Sequence, residues 1–222
     1  MLPITLTVGP IASGVADYYV ASVTPTSGTA LTLAHTSTPD QPRRVLATFG
    51  NEASNRTLRV TGTNSDNNPI RETLKIPSGG ASTAETVQDF KTITEIMPLG
   101  GGWTAALTVG TDGVASSPWK MTNAEHQAVS EITWDCITSG TVNYSIEYTM
   151  IDINSNQYTI GSQALGNYPP VPPVHDLSTI SGKTADFMAS LDNPLMAWRL
   201  KLNSGSGSVT VYALEGGMTE GR

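Results

Sequence analysis

At 222 residues the chain is long enough for one large β domain or two of about 100 residues each, and neither needs cross-links to hold a core. The formal net charge of −7, with twelve Lys and Arg scattered along the chain, excludes an electrostatic grip on nucleic acid and disfavours an anionic membrane. A single cysteine, Cys136, excludes an intrachain disulfide, and no apolar run approaches the ~20 residues a membrane-crossing helix needs.

Charged residues make up only 14% of the chain, so Gly, Ser, Thr and Asn fill most polar positions, which suits a β protein with a hydroxyl-rich exterior in extracellular or particle-bound life. The first Lys or Arg is Arg43, and Pro3, Thr5, Thr7, Gly9 and Pro10 interrupt the amino-terminal apolar residues, so no signal peptide is expected there. Residues 4–8 alternate apolar and polar and stop at Gly9-Pro10, the pattern of an edge strand or an arm. Residues 18–24 and 30–34 repeat the alternation around Pro25-Thr26-Ser27-Gly28-Thr29, which predicts a hairpin or a sheet-crossing loop, and 44–49 is a further strand.

The clearest hairpin is predicted between 57–61 and 70–76, with Leu58 and Val60 facing Ile70, Leu74 and Ile76, and with Arg71, Thr73 and Lys75 on the other side. Residues 79–83 read as a loop, and 85–96 as two short strands, because Thr86, Val87, Thr92, Ile93 and Thr94 oppose a helix. After the glycine-rich stretch 98–103 come a strand at 104–109 and a turn at 110–113, and Ser116-Ser117-Pro118-Trp119 marks the seam between two halves. Strands follow at 129–134 and 142–150, the second with Val142, Tyr144, Ile146, Tyr148 and Met150 packed, and Asn143, Ser145, Glu147 and Thr149 solvated. The prolines of 168–173 predict an exposed loop or spacer, 181–189 a short helical turn, 197–202 and 208–214 a second hairpin, and 216–222 a frayed tail.

The chemistry-bearing residues form no constellation in the sequence. His35, His126 and His175 are far apart and belong to no H-x-x-x-H or H-E-x-x-H unit, and His175-Asp176 has no G-x-S-x-G nucleophile to serve. Ser181-Gly182-Lys183-Thr184 ends like a phosphate loop, but the upstream glycine of that motif is missing. Asn64, Asp66 and Asn68 alternate as in a calcium loop, yet Pro69 and Lys75 stand where glycine and glutamate are required, so a hairpin tip explains them. Glu147 and Asp152 read as solvated carboxylates, and Cys136 as a small buried hydrophobe. No catalytic, metal or cofactor residue is assigned, and an enzyme is not expected. Most aromatics read as core, while Tyr168, Tyr18 and Tyr19 are the interaction candidates, Tyr168 because it adjoins the proline run.

Two stretches resemble small proteins encoded among the head and neck genes of tailed bacteriophages. The first comprises 62–74, then 90–96 and 109–119; the second comprises 139–149 and 198–211, including Trp198-Arg199-Leu200-Lys201-Leu202. The resemblance implies a virion component, assembled in the host cytoplasm. It would be a capsid decoration or cement protein, or a neck or tail accessory subunit. Its partners would be the major capsid protein or other virion proteins, and it would be a homo-oligomer, a trimer being one form. A carbohydrate- or receptor-binding module of a tail fibre, and a glycan hydrolase on a β scaffold, are the alternatives. The fold expected is all-β, with two antiparallel β-sandwich, jelly-roll-like domains: residues 1–118 with an amino-terminal arm, and residues 119–222.

Overall fold

The computed structural model describes residues 4–52, 56–76, 78–80, 82–122, 129–153, 172–192 and 195–217. These form antiparallel sheets with no α-helix among the described residues. The chain divides into two compact units, one taking Met1–Ile11, Val114–Ser155 and Pro172–Arg222, the other built on Ala12–Gly113. This differs from a division at residue 118. The first strand, β1 (Ile4–Val8), leaves the amino-terminal half altogether, and the division lies between Gly113 and Val114.

The unit built on Ala12–Gly113 is a sandwich of two sheets. In one, β4 (Arg56–Thr63) lies between β5 (Pro69–Ile76) and β7 (Thr92–Leu99). The predicted hairpin is present, with Leu58 opposite Leu74 and Gly62 opposite Ile70. Gly62 sits where the β4–β7 register slips, and a Cβ there would run into the carbonyl oxygen of Thr92, so the bulge requires glycine. The facing sheet contains β2 (Val15–Val23), β3 (Arg43–Phe49), β6 (Ser82–Glu85) and the first part of β8 (Leu107–Ser116). Tyr19, Val45, Phe49, Leu58, Val60, Ile76, Phe90, Ile93, Ile96 and Leu107 fill the space between them. Residues 92–99 are a strand as expected, but the other strand of this region, 82–85, takes in Ser82 and Thr83 of the expected loop, and 86–91 lie outside the strands.

Residues 30–34 are not a strand. They belong to an irregular segment that donates to β7 from the Gly28 and Leu31 amides and accepts from Ile93 at the Thr36 carbonyl, covering one edge of that sheet.

The other unit is a second sandwich. One sheet has the order β1, β15 (Ser208–Gly217), β10 (Val129–Ser139), β13 (Phe187–Leu191). In the other, β11 (Asn143–Thr149) lies between β12 (His175–Asp176) and β14 (Ala197–Ser204), and β9 (Lys120–Met121) also pairs with β14. Leu6 and Val8 of β1, Trp134 of β10, Tyr144 and Ile146 of β11, Trp198 and Leu200 of β14, and Val209 and Val211 of β15 meet in the core. Trp134 and Trp198 are edge to face at 5.8 Å and 80°, a favoured arrangement for two large rings.

Two local readings change here. Residues 197–202 and 208–214 are both strands, but they lie in opposite sheets, so the Gly205–Gly207 loop crosses the sandwich instead of closing a hairpin. Gly205 takes φ +114 in that crossing, and a Cβ there would strike the Thr141 carbonyl. Residues 187–191 are strand β13, preceded by a single 3-10 turn at Ser178–Ile180, not a helical turn at 181–189. The apolar residues Phe187, Ala189 and Leu191 alternate at period two and pack on the core.

Candidate interaction surface

Tyr18 and Tyr19 are neighbours on β2 whose rings meet edge to face, with centroids 5.1 Å apart and planes at 83°, but they differ in exposure. Tyr18 is half-buried and stacks on exposed His35, with ring centroids 4.3 Å apart and planes at 18°. Tyr19 points inward and is wholly buried in the core, so it offers no surface to a partner. Burial, and then the neighbouring Tyr18, push its phenol well above the ordinary tyrosine range. Tyr168 and His126 lie outside the described residues.

The motifs set aside on sequence grounds have structural roles. Asn64 Oδ1 accepts the amides of Asp66 at 3.0 Å and Asn68 at 2.9 Å, which closes the β4–β5 hairpin tip. The Gly182 amide donates to Ser145 Oγ at 3.1 Å and that of Lys183 to the Tyr144 carbonyl at 2.9 Å, so both are occupied by β11. His175 leans over Tyr148, with centroids 5.6 Å apart, while Asp176, next along the strand, accepts from Lys201 Nζ at 2.8 Å. Cys136 faces the core, and burial pushes its thiol up to about 12 despite a hydrogen bond with Tyr144. Among the described residues, no group of three or more His, Cys, Asp or Glu is placed to hold a metal ion.

Glu147 is a correction. It is buried, and its carboxylate accepts from Arg199 Nε at 2.7 Å and pairs with Lys201 Nζ at 2.7 Å. Ser145 and Thr149 are buried beside it, whereas Met150, expected in the packed set, is 57% exposed. Both faces of β11 are therefore covered, and its polar face is satisfied by ions across the strands instead of by water. Arg199 also lies over the Trp119 ring, 4.7 Å from its centroid.

The surface that sequence reasoning missed is the outer face of the sheet β1-β15-β10-β13. Of the eight large hydrophobic side chains exposed among the described residues, Ile137, Met188, Tyr212 and Leu214 lie on these strands. They alternate with the inward Ile132, Trp134, Cys136, Val209, Val211 and Ala213, so all four face away from the core. The signal is present in β15, where Val209-Thr210-Val211-Tyr212-Ala213-Leu214 is apolar on both faces, as a strand covered on both sides would be. An apolar cluster of this kind on one face marks a contact surface more often than a scatter of single residues does. No protein-family model matches this chain, and no curated protein is similar to it.

Proposed function

We propose that this chain is a structural protein of a tailed-phage virion, a capsid decoration or cement protein or a neck accessory subunit, and that it works by adhesion to other virion proteins without catalysis. The observation that carries the adhesive role is the apolar outer face formed by Ile137, Met188, Tyr212 and Leu214 on a rigid sheet. The resemblance of two stretches to head and neck proteins suggests the virion context, and the hydroxyl-rich, charge-poor composition suits a particle surface. Quantitative mass spectrometry of purified virions tests the reading: copies in the hundreds identify a decoration protein, a few copies identify a neck or tail subunit, and absence from the particle rejects both.

A second reading, a carbohydrate- or receptor-binding module, has the Tyr18–His35 stack in its favour, since a half-exposed ring pair is a platform on which a sugar can lie. Glycan-array binding that is lost in Tyr18→Ala would establish it.

A further inference from the structure

The outer face just described also names the chemistry of its partner; the inference rests on the adhesive reading and carries it further. The strands β1, β10, β13 and β15 contain Glu131, Asp135 and Glu215 but neither Lys nor Arg. The register places Asp135 between Tyr212 and Met188, with Thr5 completing the row. The adjoining row holds Leu214, Thr133 and Ser190, and the row on the other side holds Ile137, Thr210 and Thr7. An exposed carboxylate thus stands amid the four exposed apolar side chains, and no base of the described residues pairs with it. The opposite sheet of the same sandwich differs, because its acids Glu147 and Asp176 are matched by Arg199 and Lys201.

Burying this face against a neutral apolar surface would strand Asp135 without water or a counter-ion, which is costly. Two copies meeting face to face about a two-fold axis would bury Asp135 and Glu131 against their own like charges. Charge complementarity leaves a different occupant. We propose that this face docks a protein surface presenting Lys or Arg among aliphatic or aromatic side chains, with the cation seated on Asp135 between Tyr212 and Met188. Four strands span about 14 Å, and over five residues the face covers roughly 250 Å², far below the ~800 Å² per partner of a stable interface. One contact is therefore weak, and firm attachment requires several copies acting together.

The probe is an alternating Leu-Lys hexapeptide, with its Leu-Glu counterpart as control, titrated into the 15N-labelled full chain and followed by amide shifts, with sedimentation in parallel. The expected result is that the lysine peptide moves amides of 131–137, 188–190 and 210–214 and that the glutamate peptide does not. Asp135→Lys weakens the lysine peptide about tenfold, and Tyr212→Ser with Leu214→Ser abolishes the response. These side chains face solvent, and Asp135→Asn, which keeps the shape, gives an intermediate loss. Equal response to both peptides, no response, or shifts confined to β1, meaning strand addition, would overturn the proposal. So would concentration-dependent dimers that Tyr212→Ser disperses, since the occupant would then be a second copy. If Asp135→Lys enters virions at undiminished copy number, the docking proposal falls and the virion reading stands; if the lysine peptide binds but virions lack the chain, the reverse holds.

Discussion

The two sandwiches bury ionised side chains for different purposes. In the unit containing β11 and β14, Glu147, Arg199, Lys201 and Asp176 pair across neighbouring strands and fix side chain against side chain. In the unit built on Ala12–Gly113, buried carboxylates hold loop backbone. Glu52 accepts the amides of Thr104 at 3.1 Å and Ala105 at 2.8 Å, and Glu72 accepts those of Val87 at 2.8 Å and Gln88 at 3.0 Å. Asp40, although exposed, likewise accepts the Ala12 amide at 2.8 Å while holding Arg43, which is fully buried. Long irregular connections leave amides without ladder partners, and a carboxylate that takes two of them satisfies both at once. Buried carboxylates thus tie strand to strand in one unit and hold loop backbone in the other, where the cross-strand pairs Arg59–Glu95 and Arg44–Glu85 have half-exposed or exposed carboxylates.

The largest expected effect tests whether each sandwich stands on its own core. Trp198→Ala removes half of the Trp134–Trp198 pair and should cost about 3–5 kcal/mol. Hydrogen exchange should show lost protection in β10, β11, β14 and β15 with β4, β5 and β7 unchanged; equal loss in both units would show that they unfold together. Next comes Glu147→Ala, which takes the buried carboxylate from Arg199 and leaves Lys201 only its pair with Asp176, and should cost about 3 kcal/mol by urea denaturation. Replacing all three by apolar residues should cost less than the single change, because the unpaired charges go too. Should the triple variant be the less stable, the stripe does more than balance its own desolvation.

Glu52→Ala should cost about 1–3 kcal/mol, since the Thr104 and Ala105 amides lose their acceptor, and the loosening should be confined to residues 100–106 in exchange measurements. The smallest effects are in pH dependence, and they have opposite signs. Burial raises Glu72 above the ordinary carboxyl range, against the Val87 and Gln88 amides and Arg44. The folded chain then holds that proton more tightly than the unfolded one, so the contribution is full below about pH 4 and is lost as pH rises through the folded value. Burial also acts to raise Asp40, but Arg43 and the amides of Ala12 and Gln41 outweigh it and hold the group low, so its contribution is present above about pH 4 and lost as pH falls. Stability measured from pH 3 to 7 should lose its upper slope in Glu72→Gln and part of its acid sensitivity in Asp40→Asn; an unchanged profile in both would remove these carboxylates from the account.

What could be read from the sequence followed from locality. The β4–β5 hairpin was legible because its alternation, its Asn-rich tip and its register lie within a short stretch. The same signature misleads at Asn203–Gly207, where a Gly-Ser loop between two alternating runs fits a hairpin and a sheet crossing equally well. Glu147 was misread because alternation tells which residues share a face, not whether that face meets water. Adjacency does not part Tyr18 from Tyr19, whose rings touch, and with Tyr19 and Val20 buried in succession period two does not describe β2 there, so only the fold shows which ring is left at the surface. The apolar outer face was written in β15 and β13, but only strand order brings Tyr212 and Met188 to either side of Asp135.

The pairing of β1 with β15 has a consequence for how the molecule is made. Thr7 and Thr210, which share a hydrogen bond at 3.0 Å, are 203 positions apart in the chain. On a ribosome, residues 12–113 all emerge while the earlier strand waits, and the interrupted sandwich can be sealed only when its last strand emerges. Until then Leu6 and Val8 have nowhere to go, so a nascent chain stalled before residue 208 would be the form most exposed to chaperones and to aggregation.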